Sequence, residues 1–353
     1  MGNMKLIKKM LTVLPIVLCL ASCTEVYRYT NNSFFAMNTV VDVIRNADIK
    51  GDYTLKTVSD IENLMSRTIQ DSEIFKVNSG EEIVLSGNTL YVLEKSLEIA
   101  KATDYAFNPC MGTLTDLWDI TSGRNYVPSQ MEIDEALSFC DASLVSIVDG
   151  AVVKPQGMKI DLGGAAKGYA LEKSCESMKA CADESKVSPD FCISLGGNIG
   201  VCGSSEAMKK EKGEGWRVGI ADPFVGETTM GSLVMTHGFI AVSGAYERYF
   251  EKDGVIYHHI FDPKTGRPAD SGLASVAIVC DDGLVGDALS TALFVMGEER
   301  ALEFYRKGLY DFDMIVATLD GRVLVREGVS KAFTLNGNAK NKENNKLKLE
   351  IIN

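Results

Sequence analysis

The alternation of helical and extended segments along the chain constrains its fold more than any other feature. Apolar residues recur at helical spacing in several segments, at residues 53–68, 89–103, 132–140, 165–181, 286–297 and 298–308. Runs of β-branched and aromatic residues predict strands between them, at residues 34–45, 144–162, 191–197, 216–223, 231–266, 312–319 and 321–328. Asp149-Gly150 predicts a hairpin turn between two short strands in 144–162, and Asp253-Gly254 predicts a break between strands in 231–266. Because helices and hairpins are interleaved without a regular βαβ repeat, the sequence predicts an α+β fold with mixed and antiparallel sheets and packed helices.

The first residues predict an exported protein. Three lysines within residues 5–9 precede an apolar run of about a dozen residues, which suits a signal-peptide core and is too short to span a bilayer. The small residues Ala21 and Ser22 before Cys23 resemble a bacterial lipobox, in which the cysteine is lipidated and becomes the mature N-terminus. We interpret residues 1–22 as a lipoprotein signal peptide and expect a lipid anchor on the periplasmic face of a bacterial membrane. An ordinary cleaved signal is the alternative.

The net charge limits which binding partners are expected, and the cysteine count limits which disulfides can form. The net charge of −12 disfavours nucleic acid and anionic membrane surfaces as partners, so membrane attachment must come from the lipid. Of nine cysteines, one leaves with the signal and Cys23 carries the lipid, and the odd number that remains leaves at least one free thiol. Cys175 and Cys181 lie on a helical pattern as buried small residues, whereas Cys192 and Cys202 could pair across a hairpin.

The stretch "DLGGAAKGYA" places Asp161, Gly163, Gly164 and Lys167 in one tight corner before a helix. One interpretation is a structural turn, in which the acid caps the helix and the lysine is solvated. The other is a nucleotide site, because glycines allow close backbone approach and a helix N-terminus with a lysine favours anions.

Two further motifs carry candidate chemistry. Asp287 and Thr291 are four residues apart, so their oxygens share one helical face and could bind magnesium. His258 and His259 are adjacent in an extended segment, so they face opposite sides. A histidine with an unperturbed pKa near 6.5 suits proton transfer at neutral pH.

Taken in order, the motifs resemble a known family. The segments are "FFAMNT", "DSEIFKVNS", "FNPCMGTLTDLW", "DLGGAAKGYA", the glycine cluster "SLGGNIGVCG", "VSGAYERYF", "YHHIFDPKTGRPA" and "GDALSTALFVMG". They resemble the successive motifs of the ApbE family, the FAD:protein FMN transferases. The resemblance covers residues 33–335 as one two-lobed catalytic unit, preceded by a linker at 23–32 and followed by a polar, mobile tail at 336–353.

The resemblance implies a magnesium-dependent enzyme that transfers FMN from FAD to a threonine of an exported or membrane redox protein, releasing AMP. The acceptor would be a flavoprotein subunit of a membrane redox complex. The positions implied to contact FAD are Met37, Thr68, Ala106, Phe107, Asn108, Asp161, Lys167, His259 and Ile260. The implied magnesium ligands are the Gly164 carbonyl, Asp287 and Thr291, and the implied catalytic residues are His259 and Lys167.

Two departures from the family pattern keep other functions open. Asn38 stands where members usually have glycine, and Thr68 stands where many carry an aromatic residue that covers the nucleotide. A periplasmic FAD pyrophosphatase that uses water as acceptor is therefore one alternative. A non-catalytic flavin-binding lipoprotein is another.

Overall fold

The computed structural model describes residues 29–205, 214–226, 228–341, 343 and 345–353. The predicted signal peptide and Cys23 lie outside these described residues. Helices and mostly antiparallel strands are interleaved along the chain, which confirms the predicted α+β class. Among the described helices, none has the length and apolar character that crossing a membrane requires.

A nine-stranded sheet forms the centre of the molecule. Its strands, in spatial order, are β1 (Tyr29–Ala36), β2 (Thr39–Asn46), β5 (Phe191–Leu195), β6 (Asn198–Cys202), β9 (His237–Gly244), β12 (Leu273–Cys280), β13 (Asp313–Thr318), β14 (Arg322–Arg326) and β16 (Lys348–Ile352). Neighbouring strands pair antiparallel except β14 and β16, which are parallel. The smaller sheets pair β3 (Ser146–Val148) with β4 (Ala151–Val153), β10 (Tyr249–Lys252) with β11 (Val255–His258), and β8 (Thr229–Met235) with both β7 (Trp216–Ala221) and β15 (Phe333–Leu335).

Each segment with helical spacing corresponds to a described helix, and three short helices, at 73–78, 112–118 and 327–330, were not predicted. The described helices are α1 (Thr54–Met65), α2 (Glu73–Asn78), α3 (Gly87–Ala102), α4 (Gly112–Trp118), α5 (Gln130–Leu137), α6 (Ala166–Ser185), α7 (Gly283–Arg306) and α8 (Glu327–Ser330), with a short 3-10 helix at Ala142–Leu144. The two helices expected at 286–297 and 298–308 form α7, which is interrupted at Gly297, where φ is 77°. Only glycine adopts that conformation readily, so the expected boundary is the observed break.

The residue types at the turns between strands explain the conformations of those turns. The two Asp-Gly pairs at 149–150 and 253–254 have positive φ and close the β3–β4 and β10–β11 hairpins as predicted. The single early strand expected at 34–45 is wrong, because Met37 and Asn38 take φ values of 50° and 57° and turn the chain from β1 into β2. Asparagine tolerates this left-handed conformation, so Asn38 can occupy the turn.

Both ends of the predicted domain need correction. The linker expected at 23–32 already enters β1 at Tyr29. The mobile tail expected at 336–353 contains β16, which pairs in parallel with β14 at the edge of the central sheet. Backbone hydrogen bonds hold this strand, and its polar composition did not reveal them.

The two faces of the central sheet bury different cores. In β12, Val276 and Ile278 face the core beneath α6 and α7, while Ala277 faces a second core beneath β7 and β8. This alternation is the two-residue period of a strand buried on both faces. A third cluster surrounds Trp118, beneath α4, α5 and β10–β11.

The seven described cysteines are free thiols. Cys175 and Cys181 are buried, as their helical pattern predicted. Cys192 lies opposite Val201, and Cys202 lies opposite Phe191. The two thiols therefore face opposite sides of the sheet, and the possible disulfide does not form.

Candidate active site

A side chain and a backbone carbonyl from two separate segments fix the stretch that ends at Asp161. The Asn78 amide at the end of α2 accepts from Ile160 N at 2.7 Å and donates to Ile160 O at 2.8 Å. Asp161 N donates to Pro109 O at 2.8 Å. Residues 159–161 are therefore held by loop contacts rather than by the strand expected from their apolar pattern.

Asp161 organises the turn but does not cap α6. Its Oδ1 accepts from Gly163 N at 2.9 Å, and its Oδ2 accepts from Thr115 Oγ1 at 3.1 Å. Arg67 Nε lies 3.2 Å from the same Oδ2, an ion pair that joins residues 94 positions apart in sequence. The helix-capping role considered for Asp161 is therefore wrong, since the carboxylate holds the turn instead, and its contact with FAD stays a prediction.

The N-terminus of α6 is capped from another helix. The N-cap residue Ala165 has no side-chain acceptor, and instead Asp287 Oδ2 on α7 accepts from Gly168 N at 2.9 Å. Lys167 Nζ donates to Gly163 O at 3.0 Å and lies 3.5 Å from Asp287 Oδ1. The lysine is therefore part of the cluster and not a solvated surface charge.

The three predicted magnesium ligands are close together. Asp287 is buried, Thr291 follows one turn later on α7, and a Cβ built on Gly164 would lie 3.7 Å from Thr291 Oγ1. Among the described residues no group of three or more His, Cys, Asp or Glu side chains could hold a metal ion. Any metal here would therefore depend on one carboxylate together with neutral oxygens.

The two histidines have different surroundings. His258 is buried and uses both ring nitrogens, because Nε2 donates to Ala269 O at 3.1 Å and Nδ1 accepts from Ile260 N at 3.3 Å. His259 Nδ1 lies 3.3 Å from the Arg248 carbonyl oxygen, which can only accept, so Nδ1 carries the proton. In the described part of the chain no partner is found for His259 Nε2, which leaves its lone pair available.

The surroundings of His259 shift its pKa away from the value of an ordinary histidine. Burial, which is the largest cause, and the positive charges of Arg248 and Lys167 together lower the pKa of His259 to about 3. The expectation of a pKa near 6.5 is therefore wrong for the free protein. His259 is neutral throughout the physiological pH range.

Glu247 is a site residue that the sequence did not single out. A Cβ added at Gly197 would lie 2.8 Å from Glu247 Oε1, so the glycine makes room for this carboxyl group. Burial raises the pKa of Glu247 to about 7, with Asp287 adding to the rise and Lys167 and Arg248 opposing it. Gly197 of the glycine cluster thus accommodates the Glu247 side chain.

The remaining predicted FAD contacts fall in different places. Met37 lies in the β1–β2 turn, which Arg248 contacts through Asn38 O at 3.5 Å. Thr68 is exposed in the loop after α1. Ile260 is buried, and both its backbone groups are bonded within the protein.

The residues of the turn at 106–108 border two different regions of the protein. The Phe107 ring approaches within 3.1 Å of a Cβ built on Gly164 and so borders the cluster. Ala106 and Asn108 instead line a cavity of about 330 Å³ whose wall also includes Asp262 and Arg300. The Asn108 amide is bonded to Cys140 O at 2.7 Å and to Cys110 N at 2.8 Å.

Comparison with known proteins identifies the family to which the chain is related. The model of the ApbE family matches residues 37–316. The FAD:protein FMN transferase of Treponema pallidum is 34% identical over 287 residues, which cover 76% of each chain. The FAD:protein FMN transferase of Vibrio cholerae is 28% identical over 338 residues, covering 92% of this chain and 97% of the relative.

Solved structures agree with the sequence comparison. The crystal structure of the ApbE protein from Thermotoga maritima superposes with a TM-score of 0.76 at 31% identity, covering 86% of this chain and 99% of that one. The flavin transferase ApbE from Vibrio cholerae has a TM-score of 0.70 at 23% identity, covering 83% and 94%, and shows the same fold. The chain belongs to the ApbE family.

Proposed function

We propose that this protein transfers FMN from FAD to a threonine hydroxyl of an exported redox protein, in a magnesium-dependent reaction that releases AMP. The threonine oxygen attacks the FMN phosphorus, the bond from that phosphorus to the bridging oxygen breaks, and the bridging oxygen leaves with AMP. The threonine proton passes to His259 Nε2. The observation that carries the proposal is a vacant His259 nitrogen in the electrostatic field of Lys167 and Arg248, with Lys167 Nζ also 3.5 Å from Asp287 Oδ1.

The positive charges suit the substrate. Lys167 and Arg248 both act electrostatically on His259, and a bound pyrophosphate would be attracted by the same two cations. Phosphoryl transfer needs mainly positioning and charge stabilisation from the protein, which these groups supply. The relatives' name, FAD:protein FMN transferase, supports the same substrate and a protein acceptor.

The donor set fits magnesium. A carboxylate, a hydroxyl and a carbonyl from Asp287, Thr291 and Gly164 are oxygen ligands, and phosphate oxygens and water would complete the coordination. A bound magnesium ion would neutralise charge on the pyrophosphate and on the departing AMP. Gly168 N holds the Asp287 carboxylate in place for this role.

The low pKa of His259 fits a base that becomes effective only with substrate. A base with a pKa of about 3 is weak near pH 7. A bound pyrophosphate would offset the charges of Lys167 and Arg248, which depress that pKa, and would shift it upwards. Proton transfer would then be favoured in the FAD complex over the free protein.

A second function, hydrolysis of FAD to FMN and AMP, has one observation in its favour. Thr68 is small and exposed in the loop where relatives often carry an aromatic cover, so water could reach the site. A non-catalytic flavin carrier is disfavoured, because binding alone does not require a vacant base beside an oxygen cluster. Incubation with FAD, magnesium and a threonine-bearing acceptor domain separates the three. Covalent flavin on the acceptor indicates transfer, free FMN with AMP indicates hydrolysis, and unchanged FAD refutes both activities.

We further propose that the protein is a lipoprotein anchored through Cys23 on the periplasmic face of a bacterial membrane. Five residues separate Cys23 from Tyr29, where β1 begins, and so short a segment reaches about 20 Å at most. The enzyme would thus lie close to the membrane. A flavoprotein subunit of a membrane redox complex is the acceptor class that this placement favours.

A further inference from the structure

A chain of hydrogen-bonded hydroxyl groups runs from two buried serines to the partly buried Thr291. Ser290 Oγ donates to the backbone oxygen of Asp287 at 2.8 Å. Ser290 Oγ lies 2.8 Å from Ser243 Oγ, and Ser243 Oγ lies 3.3 Å from Thr291 Oγ1. Ser243 comes from β9 and the other two hydroxyls from α7, so the chain links the central sheet to the helix that carries the candidate metal ligands.

The number of hydroxyl protons determines which group donates in each hydrogen bond of this chain. A carbonyl oxygen only accepts, so the single Ser290 proton is used on Asp287 O, and the contact between the serines needs the Ser243 proton. Ser243 Oγ must then accept the proton of Thr291. The opposite direction would leave two serine oxygens 2.8 Å apart without a proton between them.

Ser290 also occupies a carbonyl oxygen that could otherwise accept the Thr291 proton. A threonine in a helix commonly donates to the carbonyl four residues earlier, which for Thr291 is the oxygen of Asp287. Ser290 donates to that oxygen, while the partner of Thr291 Oγ1 is Ser243. The Thr291 proton is thereby directed to the sheet, and the oxygen presents only lone pairs elsewhere.

We propose that Ser243 and Ser290 are positioning residues that hold Thr291 as a pure oxygen donor for the cation. The proposal rests on the proposed magnesium site and adds two residues to it. Without Ser243, the Thr291 hydroxyl loses its acceptor and can turn its proton towards the cation. Without Ser290, the Ser243 proton loses its acceptor and can turn onto the Thr291 oxygen, where it competes with the metal.

The test measures Mn²⁺ binding to the mature chain by electron paramagnetic resonance of free Mn²⁺, with no flavin present. Ser243→Ala and Ser290→Ala should each weaken binding about tenfold, the scale seen when groups that orient metal ligands are removed. The double variant should bind about as weakly as either single variant, because both interrupt one chain. Thr291→Val, which removes the ligand itself, should weaken binding at least as much.

Ser174→Ala is the matched control. Ser174 is a fully buried helical serine whose Oγ donates to the carbonyl four residues earlier at 2.7 Å, away from this cluster. It should lose some thermal stability and keep its Mn²⁺ affinity. Wild-type affinity in both Ser243→Ala and Ser290→Ala, with weakened binding in Thr291→Val, would overturn the positioning role and leave the metal site standing. Wild-type affinity in Thr291→Val would overturn the metal assignment and this inference together.

Discussion

The contact between α6 and α7 gives the sharpest test of how the cluster is built. Gly168 and Gly283 face each other, and a Cβ added at Gly168 would lie 2.0 Å from Gly283 O and 2.7 Å from Asp287 Cβ. The nearest atom belongs to the backbone and cannot rotate away. Ordinary contact would require the helices to separate by about 1.4 Å in the substitution Gly168→Ala.

The energetic cost has two parts. Overpacking of this kind costs about 1–3 kcal/mol, and weakening the bond from Gly168 N to the Asp287 carboxylate costs about another 1.5–3 kcal/mol. We therefore expect Gly168→Ala to lower the free energy of unfolding by about 2.5–6 kcal/mol. Because Asp287 would move with α7, Mn²⁺ affinity should also fall.

Urea unfolding followed by circular dichroism measures the first effect, and electron paramagnetic resonance measures the second. Gly87→Ala is the matched control, because Gly87 is also helical and a Cβ there meets no atom within 4 Å. That variant should be neutral or slightly more stable, since alanine favours the helix. A Gly168→Ala protein within about 0.5 kcal/mol of the wild type would refute the close-contact reasoning.

His259→Ala should lower FMN transfer by about 10²–10⁴-fold while FAD still binds, whereas His258→Ala should mainly reduce thermal stability; equal rates in the two variants would reject His259 as the base. The native pKa of Glu247, about 7, exceeds the value of 4.5 for the free side chain, so the folded state holds this proton more tightly and stability falls as pH rises from about 4.5 to 7. Glu247→Gln should therefore gain stability relative to the wild type across that window in urea midpoints, and parallel pH profiles would contradict the assignment. Asp287→Asn should abolish magnesium-dependent turnover, and retention of wild-type rates would remove this carboxylate from the metal site. Cys23→Ser should convert a membrane-associated protein into a soluble exported one on fractionation, and a wild-type protein found wholly in the soluble fraction would exclude the lipid anchor.

Local patterns were sufficient for most of the secondary structure. Apolar periodicity located α1, α3 and α6, and the Asp-Gly pairs located two hairpin turns, because each depends on residues that are neighbours in sequence. The spacing of Asp287 and Thr291 likewise placed both side chains on one helical face. The resemblance to the ApbE family, carried by ordered motifs, is confirmed by the family match.

Long-range packing decided what local patterns missed. The tail at 336–353 is polar, but β16 within it completes a sheet edge supplied by β14. The turn at 37–38 divides one apolar run into two strands, which its composition alone did not show.

The sequence alone determined which residue types the site contains, while the tertiary structure decided what each of them does. Gly168 N and Asp287 are 119 residues apart, and Ser243 and Thr291 are 48 apart. The room that Gly197 leaves for Glu247 depends equally on a long-range contact. The pKa of His259 is set by burial and by charges from separate segments, so an isolated histidine gives the wrong value. Hydrogen-bond direction and desolvation depend on atoms that only the fold brings together, and no local periodicity encodes them.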